Sequence, residues 1–433
     1  MDECWLSQLN VLVLNKKQTL RSILVWVFLF FMSSATAWAK QHVVEPGDGH
    51  LVAAIKNASA GDTLILQPGY YAGGIIINKS LSLQGRGKAI IDGEGIGRVV
   101  TLSAPNSKLL GLTVINSGDQ LSQEDSGIYI MPSATGSTVS GNYLDNNLIG
   151  IYLKGSENVL VKGNVIIGQD NPRVNERGNG VQIWNAPGSI IESNEIRQGR
   201  DGIFVNTSHH NIFRNNDIQN SRYAIHYMYT NDSEVSGNLS KNNKIGYALM
   251  FSSRLNVHDN KSINDLQRGL LLNYVNNSTV NGNQVLNCAG KCLFFYNANH
   301  NTFVNNYFEG CAIGIHFTAG SEHNKISGNA FVDNKTQVKY VGTRHLEWSY
   351  QQRGNYWSDN MAFDLNNDGI SDQPYKPNDL VDQILWLHPL AKLLLNSPAL
   401  QLMRWAQSAF PGLHPGGIHD SSPLMSIPNG MDK

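Results

Sequence analysis

Three side chains in the middle of the chain carry the chemistry of a soft-metal site. His226 and Met228 flank a single residue, and Met250 follows Met228 at the interval of one sequence repeat. Two thioethers and an imidazole suit Cu(I). They can meet only if the step from Met228 to Met250 returns the chain to the same place, so the site depends on the period of the fold. A hydrophobic docking face for another protein would also use methionine, as adaptable filler. The two readings are compatible.

Two further groups could do chemistry. Asp364-x-Asn366-x-Asp368-Gly369-x-x-Asp372 spaces its oxygens like the first half of a calcium loop, with Gly where the sharp turn falls. No carboxylate stands at the twelfth position (Tyr375), so calcium binding and an Asx-rich turn that needs no metal both stand. Cys288 follows Asn283 at the same offset as Cys311 follows Asn306. Stacked strands are about 4.8 Å apart, within the span that a disulfide tolerates. An oxidising compartment would permit Cys288–Cys311 with Cys292 left over; two buried free thiols are the other reading.

What must position these groups is a repeat. A small or polar residue followed by Asn recurs from Gly141-Asn142 to Gly328-Asn329, and Asn142, Asn164, Asn194, Asn216, Asn238 and Asn260 mark its nearly constant step. The one long step, Asn164 to Asn194, carries an insertion around Gln169 to Gly178. A second phrase trails each Asn: Gly150-Ile151, Gly202-Ile203, Gly246-Tyr247, Gly269-Leu270, Gly314-Ile315. Period-two alternation follows it (Ile151/Leu153, Ile203/Val205, Leu270/Leu272), which puts those residues inside and their neighbours outside. A repeat this short is a solenoid of parallel strands, about a dozen coils long. Its repeated Asn is expected to stack as an amide ladder at a turn. Its outward positions place His226 beside Met228, with Met250 stacked on Met228 from the next coil.

The rest of the chain frames this rod. Lys16, Lys17 and Arg21, the apolar run Ile23 to Met32, and Ala37-x-Ala39 predict an export leader over 1–39. Residues 40–71 predict a cap, with a short helix from His50 to Ala58 and then the first coil; 72–345 are the repeats. The repeat is expected to stop beyond Tyr340, with a Trp- and Asp-rich segment over 346–382. Two short helices, Leu390 to Asn396 and Pro398 to Ser408, fall within 383–412, and a disordered Pro- and Gly-rich tail fills 413–433. The net charge of −1 and the lack of basic runs exclude a nucleic-acid partner by charge.

Catalysis needs paired carboxylates on one outward face, about 5–10 Å apart. At the position before the second phrase the chain reads Ser126, Ile149, Asn179, Asp201, Tyr223, Ile245, Arg268, Lys291 and Ile313, where only Asp201 is acidic. Glu195, Asp217 and Asp201 are the nearest thing to a pair, and solvated coil charges explain them better. The expectation is a protein that is not an enzyme. The alternative is a carbohydrate-active enzyme or lectin that stacks sugars on aromatic outward positions.

The order helix, Gly61-Asp62-Thr63, strand, Pro68-Gly69-Tyr70 resembles the entry cap of right-handed parallel β-helices of the pectate-lyase type. Gly354-Asn355-Tyr356-Trp357-Ser358-Asp359, the loop to Asp372 and Pro374-Tyr375, with Leu380-Val381-Asp382 and Leu394 to Gln407, resemble the periplasmic copper-processing β-helix family NosD. That resemblance implies an all-β, right-handed parallel β-helix in the periplasm. It further implies work with an ABC transporter, a copper chaperone and nitrous oxide reductase, with transient Cu(I) as cargo. Trp386, Leu394, Leu395, Leu402 and Trp405 are then expected to dock on the transporter's membrane subunit, leaving the rod peripheral to the membrane. The resemblance assigns no copper ligands; His226, Met228 and Met250 rest on spacing.

Overall fold

A computed structural model describes residues 39–340, 342, 344–378, 380–394, 397–410 and 417–431. Residues 1–38 of the predicted leader and Leu395 lie outside the described residues. Each repeat forms one coil of three strands. Thr138–Ser140, Tyr143–Asn147 and Ile149–Lys154 make one coil, and each strand pairs in parallel with its counterpart one repeat away. Stacking gives three long parallel sheets. The first runs from Gln41–Val44 to Lys325–Ser327, the second from Gly69–Ala72 to Tyr356–Trp357, and the third from Ile75–Ile77 to Val338–Tyr340. Their inward residues, such as Val139, Leu144, Ile151 and Leu153, are fully buried in one continuous core.

The Asn phrase is explained by the corner between the first and second sheets. From Asn142 to Asn329, each ladder Asn donates its backbone N–H and its Nδ2–H to the Oδ1 of the Asn one coil on, as in Asn216 to Asn238 at 3.0 and 2.9 Å. A further Nδ2–H of Asn216 goes to the Ile191 carbonyl. Leu112, at the Asn position of an earlier coil, donates its N–H to Asn142 Oδ1. The residue before each Asn from Asn142 to Asn329 is left-handed, with φ of 64° at Gly141, 56° at Asn215 and 55° at Asp259. Only Gly and short polar residues visit that region cheaply, which is why the phrase begins as it does. The glycine of the second phrase has a steric cause: a Cβ on Gly202 would lie 2.2 Å from Ile218 Cγ2.

The N-terminal cap forms as expected. Helix His50–Asn57 lays Leu51 and Ile55 over the open end of the core. Strand Gln41–Val44, which the sequence pattern does not announce, pairs with Thr63–Leu66 and completes the first rung.

Three expectations are corrected at the other end. The repeat does not stop at Tyr340: Asn355 continues the ladder from Asn329, and Tyr356–Trp357 adds a strand to the second sheet. The end of the chain is not a free tail. Strand Gly417–His419 pairs with His345–Glu347, Ile418 is buried, and the fully buried Asp420 ends the ladder. Asp420 Oδ2 accepts from Asn355 N–H at 2.8 Å, Asn355 Nδ2–H at 3.2 Å and Trp357 Nε1–H at 2.9 Å, taking the place of the next Asn oxygen. Of the two expected helices, Pro398 to Ser408 forms and Leu390 to Asn396 does not. Leu380–Leu387 is helical, Pro389–Leu394 is a 3₁₀ segment, and Pro398–Ala409 starts at a Ser397 cap.

The disulfide is Cys292–Cys311, with a Cα separation of 5.7 Å, and Cys288 is a buried free thiol. Cys288 and Cys311 do occupy equivalent corner positions, but Cys292 replaces the glycine of the second phrase. A side chain there points inward across the corner, and its Sγ lies 3.8 Å from the carbonyl of Glu309.

Candidate functional site

The outer face of the third sheet carries the candidate metal residues. Strand Tyr223–Met228 pairs in register with Asp201–Asn206 and Ile245–Ser253, matching Phe204 to His226 to Ala248, and Asn206 to Met228 to Met250. His226 and Met228 therefore share one face of one strand, and Met250 is the next rung of the Met228 column. All three are partly buried, and Met250 packs against the buried patch of Ile245, Ala248 and Leu271. The following rung is Asn273, whose buried Oδ1 has no hydrogen-bond partner among the described residues. An acceptor left in that state costs about 1–3 kcal/mol until a donor or cation reaches it.

The imidazole is held in one orientation. Its ring packs edge-on to Tyr223, with centroids 4.8 Å apart, and tilted on Phe204 at 5.1 Å. Its Nδ1 lies 2.9 Å from Oδ2 of Asp201, which is fully buried. The same carboxylate takes two hydrogen bonds from Arg222, from Nε at 2.8 Å and Nη2 at 2.7 Å. Burial pushes the Asp201 pKa up, but the hydrogen bonds from His226 and Arg222 outweigh it and hold the group below the usual carboxylate value. An ionised carboxylate only accepts, so Nδ1 donates to it and Nε2 is the ring nitrogen turned away from the pair. A carboxylate behind an imidazole is the arrangement that orients metal-ligating histidines.

The sequence pattern singled out Asp201 as the lone acid of its row without finding its partners. Arg222 was readable as the residue that comes to lie beside it on the next coil. Asp201 is thereby committed to an ion pair, while Glu195 and Asp217 face each other on the second sheet. Glu195 and Asp217 thus stack on one face, engaged by Arg197 and by the Gln219 amide, and Asp201, on the third sheet, does not join them.

Beside the methionines runs an aromatic ridge. Tyr229 stacks on Phe251 with centroids 5.2 Å apart, and Phe251 on Tyr274 at 5.2 Å, with interplanar angles of 23° and 11°. All three are exposed and left-handed, with φ of 55°, 49° and 53°. In neighbouring coils Asn185, Thr207 and Asn297 hold this corner. Bulky residues there carry a strain of about 1–3 kcal/mol, a mark of sites kept for something other than stability. The rings stack along the rod, so they turn their faces to one another and their edges outward.

In the Asp364 loop the oxygens are occupied by backbone donors. Asp364 accepts from the N–H groups of Asn367 and Gly369, Asp368 from Ile370, and Asp372 from Leu365. This is the geometry of the Asx-turn reading. Among the described residues, no group of three His, Cys, Asp or Glu side chains is placed to hold a metal ion.

The helical segment exposes its apolar residues: Leu394 is 58% exposed, and Leu402 and Trp405 are each 62%, while Trp386 is half-buried. Among the described residues no helix is long and apolar enough to cross a membrane.

Comparison with known proteins agrees with this architecture. The chain matches the family described as periplasmic copper-binding protein (NosD) over residues 55–175 and 167–362. It is 41% identical over 377 residues to a probable ABC transporter binding protein NosD of Stutzerimonas stutzeri, covering 84% of this chain and 86% of that protein. A protein of the same description from Pseudomonas aeruginosa is 40% identical over 376 residues, covering 84% and 88%. Among solved structures, a family 28 exopolygalacturonase of Yersinia enterocolitica superposes with a TM-score of 0.50 at 13% identity, covering 68% of this chain and 79% of that one. At that identity the likeness is one of fold alone.

Proposed function

The chain belongs to the NosD family of periplasmic copper-binding proteins, and on that footing we propose that it carries Cu(I) as cargo on the third sheet, for copper-site assembly in nitrous oxide reductase. The observation that carries this reading is the Asp201–His226 pair: it leaves Nε2 free on the same face as the Met228 and Met250 thioethers. Two soft sulfurs and one neutral imidazole bind Cu(I) without a carboxylate, so the ion can be passed on. In this account His226, Met228 and Met250 hold the ion that a copper chaperone supplies. Asp201 and Arg222 fix the imidazole, and the aromatic ridge beside the site receives the protein that takes the metal.

The exposed apolar side chains of Leu394, Leu402 and Trp405 dock on the membrane subunit of an ABC transporter. Removing everything after Leu390 would also remove Asp420 and uncap the rod, so the test uses Leu394→Ser, Leu402→Ser and Trp405→Ser together. That variant should fold and lose co-purification with the transporter; undiminished co-purification would reject the docking assignment. The alternative, a carbohydrate-active enzyme or lectin, needs ring faces for sugars, and the ridge turns its edges outward. For the copper assignment, the test is whether a strain carrying His226→Ala, Met228→Ala and Met250→Ala still yields a fully metallated reductase.

A further inference from the structure

Beginning one coil beyond Met250, on the same outer face, basic side chains gather with no counter-charge among the described residues. Arg268 and Lys291 are in register at the starts of strands Arg268–Asn276 and Lys291–Tyr296. Phe294, His316 and Lys339 form the neighbouring outward column on three successive coils. The group centres on the Phe294 ring. Lys291 Nζ lies 4.1 Å from its centroid, Arg268 Cζ 5.1 Å, and the centroid of the His316 ring 4.9 Å. Each of these side chains is partly buried, and the fully buried His316 Nδ1 has no hydrogen-bond partner among the described residues.

The charges that shift these groups are other cations. Burial, then Arg268 and Lys339, bring the Lys291 ammonium down to about 8. Burial, then Lys291, Lys339 and Arg268, bring His316 down to about 3. Elsewhere on the rod, partly buried cations meet acids in the adjacent coil, as Arg222 meets Asp201 and Arg214 meets Glu192. Like charges held together in a half-desolvated place destabilise the fold unless an anion completes them.

We infer that Arg268, Lys291 and Lys339, arranged around Phe294 and His316, form a binding site for a small tetrahedral dianion, for which sulfate and inorganic phosphate are the probes. The Arg268 fork supplies two parallel N–H donors, and the lysines supply point charges. The face of Phe294 holds the Arg268 and Lys291 cations by cation–π attraction and keeps water from one side. Donors that arrive from two columns and three coils surround a volume. That suits a tetrahedral oxyanion better than a planar carboxylate, which one arginine fork would satisfy. The site shares no residue with the copper reading, and its test uses no metal.

The test is calorimetric titration of the mature chain at pH 7 and low ionic strength with sodium phosphate and with sodium sulfate, against sodium chloride at matched ionic strength. The expected result is saturable binding of one dianion per chain and none for chloride. Lys291→Met with Arg268→Gln should weaken it at least about tenfold, while Lys291→Arg should keep it. By linkage, a bound anion must raise the His316 pKa, read from its imidazole proton resonances. If the double variant fails to fold, Lys339→Met and the His316 titration decide the matter on their own. No saturable binding of either dianion by the native chain, a response equal to that of chloride, or an unmoved His316 would overturn the assignment.

Discussion

Replacing Asp420 by alanine should open the C-terminal end of the rod and leave the rest standing. In the native chain its carboxylate closes the Asn ladder by taking the N–H of Asn355 and the Nε1–H of Trp357. Alanine leaves those two buried donors without a partner, because Asn355 Nδ2 still has the carbonyls of Ile326 and Trp348. At about 1–3 kcal/mol for each orphaned donor, the loss is about 2–6 kcal/mol. A solenoid distributes stability coil by coil, so the loss should be local. It should appear as faster hydrogen exchange in Lys325–Ser327, Ala330–Val332 and Tyr356–Trp357, and as a red-shifted Trp357 emission.

Asp420→Asn retains an acceptor oxygen and should lose much less. The pH dependence separates the two effects. Burial raises the Asp420 pKa to about 6, above the unfolded value near 3.8, so between those values the folded chain binds more protons. Native stability should therefore fall as pH rises from about 4 to about 6, by up to about 3 kcal/mol at about 1.36 kcal/mol per unit. The Asp420→Asn chain should lack that share. If Asp420→Ala left exchange and emission in the last coils at native values, the tail would not be holding the ladder, and this account of the C-terminal end would fail.

Three further outcomes follow from the same geometry. Asp265, buried among Ser240, Ser262 and Asn243, is also raised to about 6 by burial. Asp265→Asn should therefore be neutral or stabilising at pH 7, and should flatten urea-denaturation stability across the window from about pH 4 to about pH 6. Peptide mapping without reduction should recover the Cys292–Cys311 bridge and never Cys288–Cys311; Cys292→Ser should cost about 2–4 kcal/mol. Asp201→Asn should weaken Cu(I) binding about 10–100-fold, measured by competition with a chromogenic chelator, with circular dichroism confirming the coil structure.

The rod was legible in the sequence because each structural demand repeats. Ladder asparagines, left-handed corners and tight glycine positions return once in every coil, so one correct period gives the register of His226, Met228 and Met250. What escaped were contacts that occur once. Asp420 lies far along the chain from Asn355, in a segment whose prolines and glycines read as disorder, and nothing local signals that its carboxylate replaces an amide. The Cys292 bridge was missed because stacking gives distance but not side-chain direction. Arg222 and the Tyr229–Phe251–Tyr274 ridge were readable from the period, had each outward row been followed to its neighbours. The cation cluster around Phe294 combines two columns, so neither row shows it alone.

On the proposed reading, the outer face of the third sheet holds Cu(I) through His226, Met228 and Met250. Anaerobic Cu(I) titration of the purified chain, with X-ray absorption at the copper edge, tests this. One ion per chain is expected, in a sulfur- and nitrogen-ligated environment, abolished by His226→Ala, Met228→Ala and Met250→Ala in a chain that still folds. Equal stoichiometry and affinity in native and triple-variant chains would contradict it.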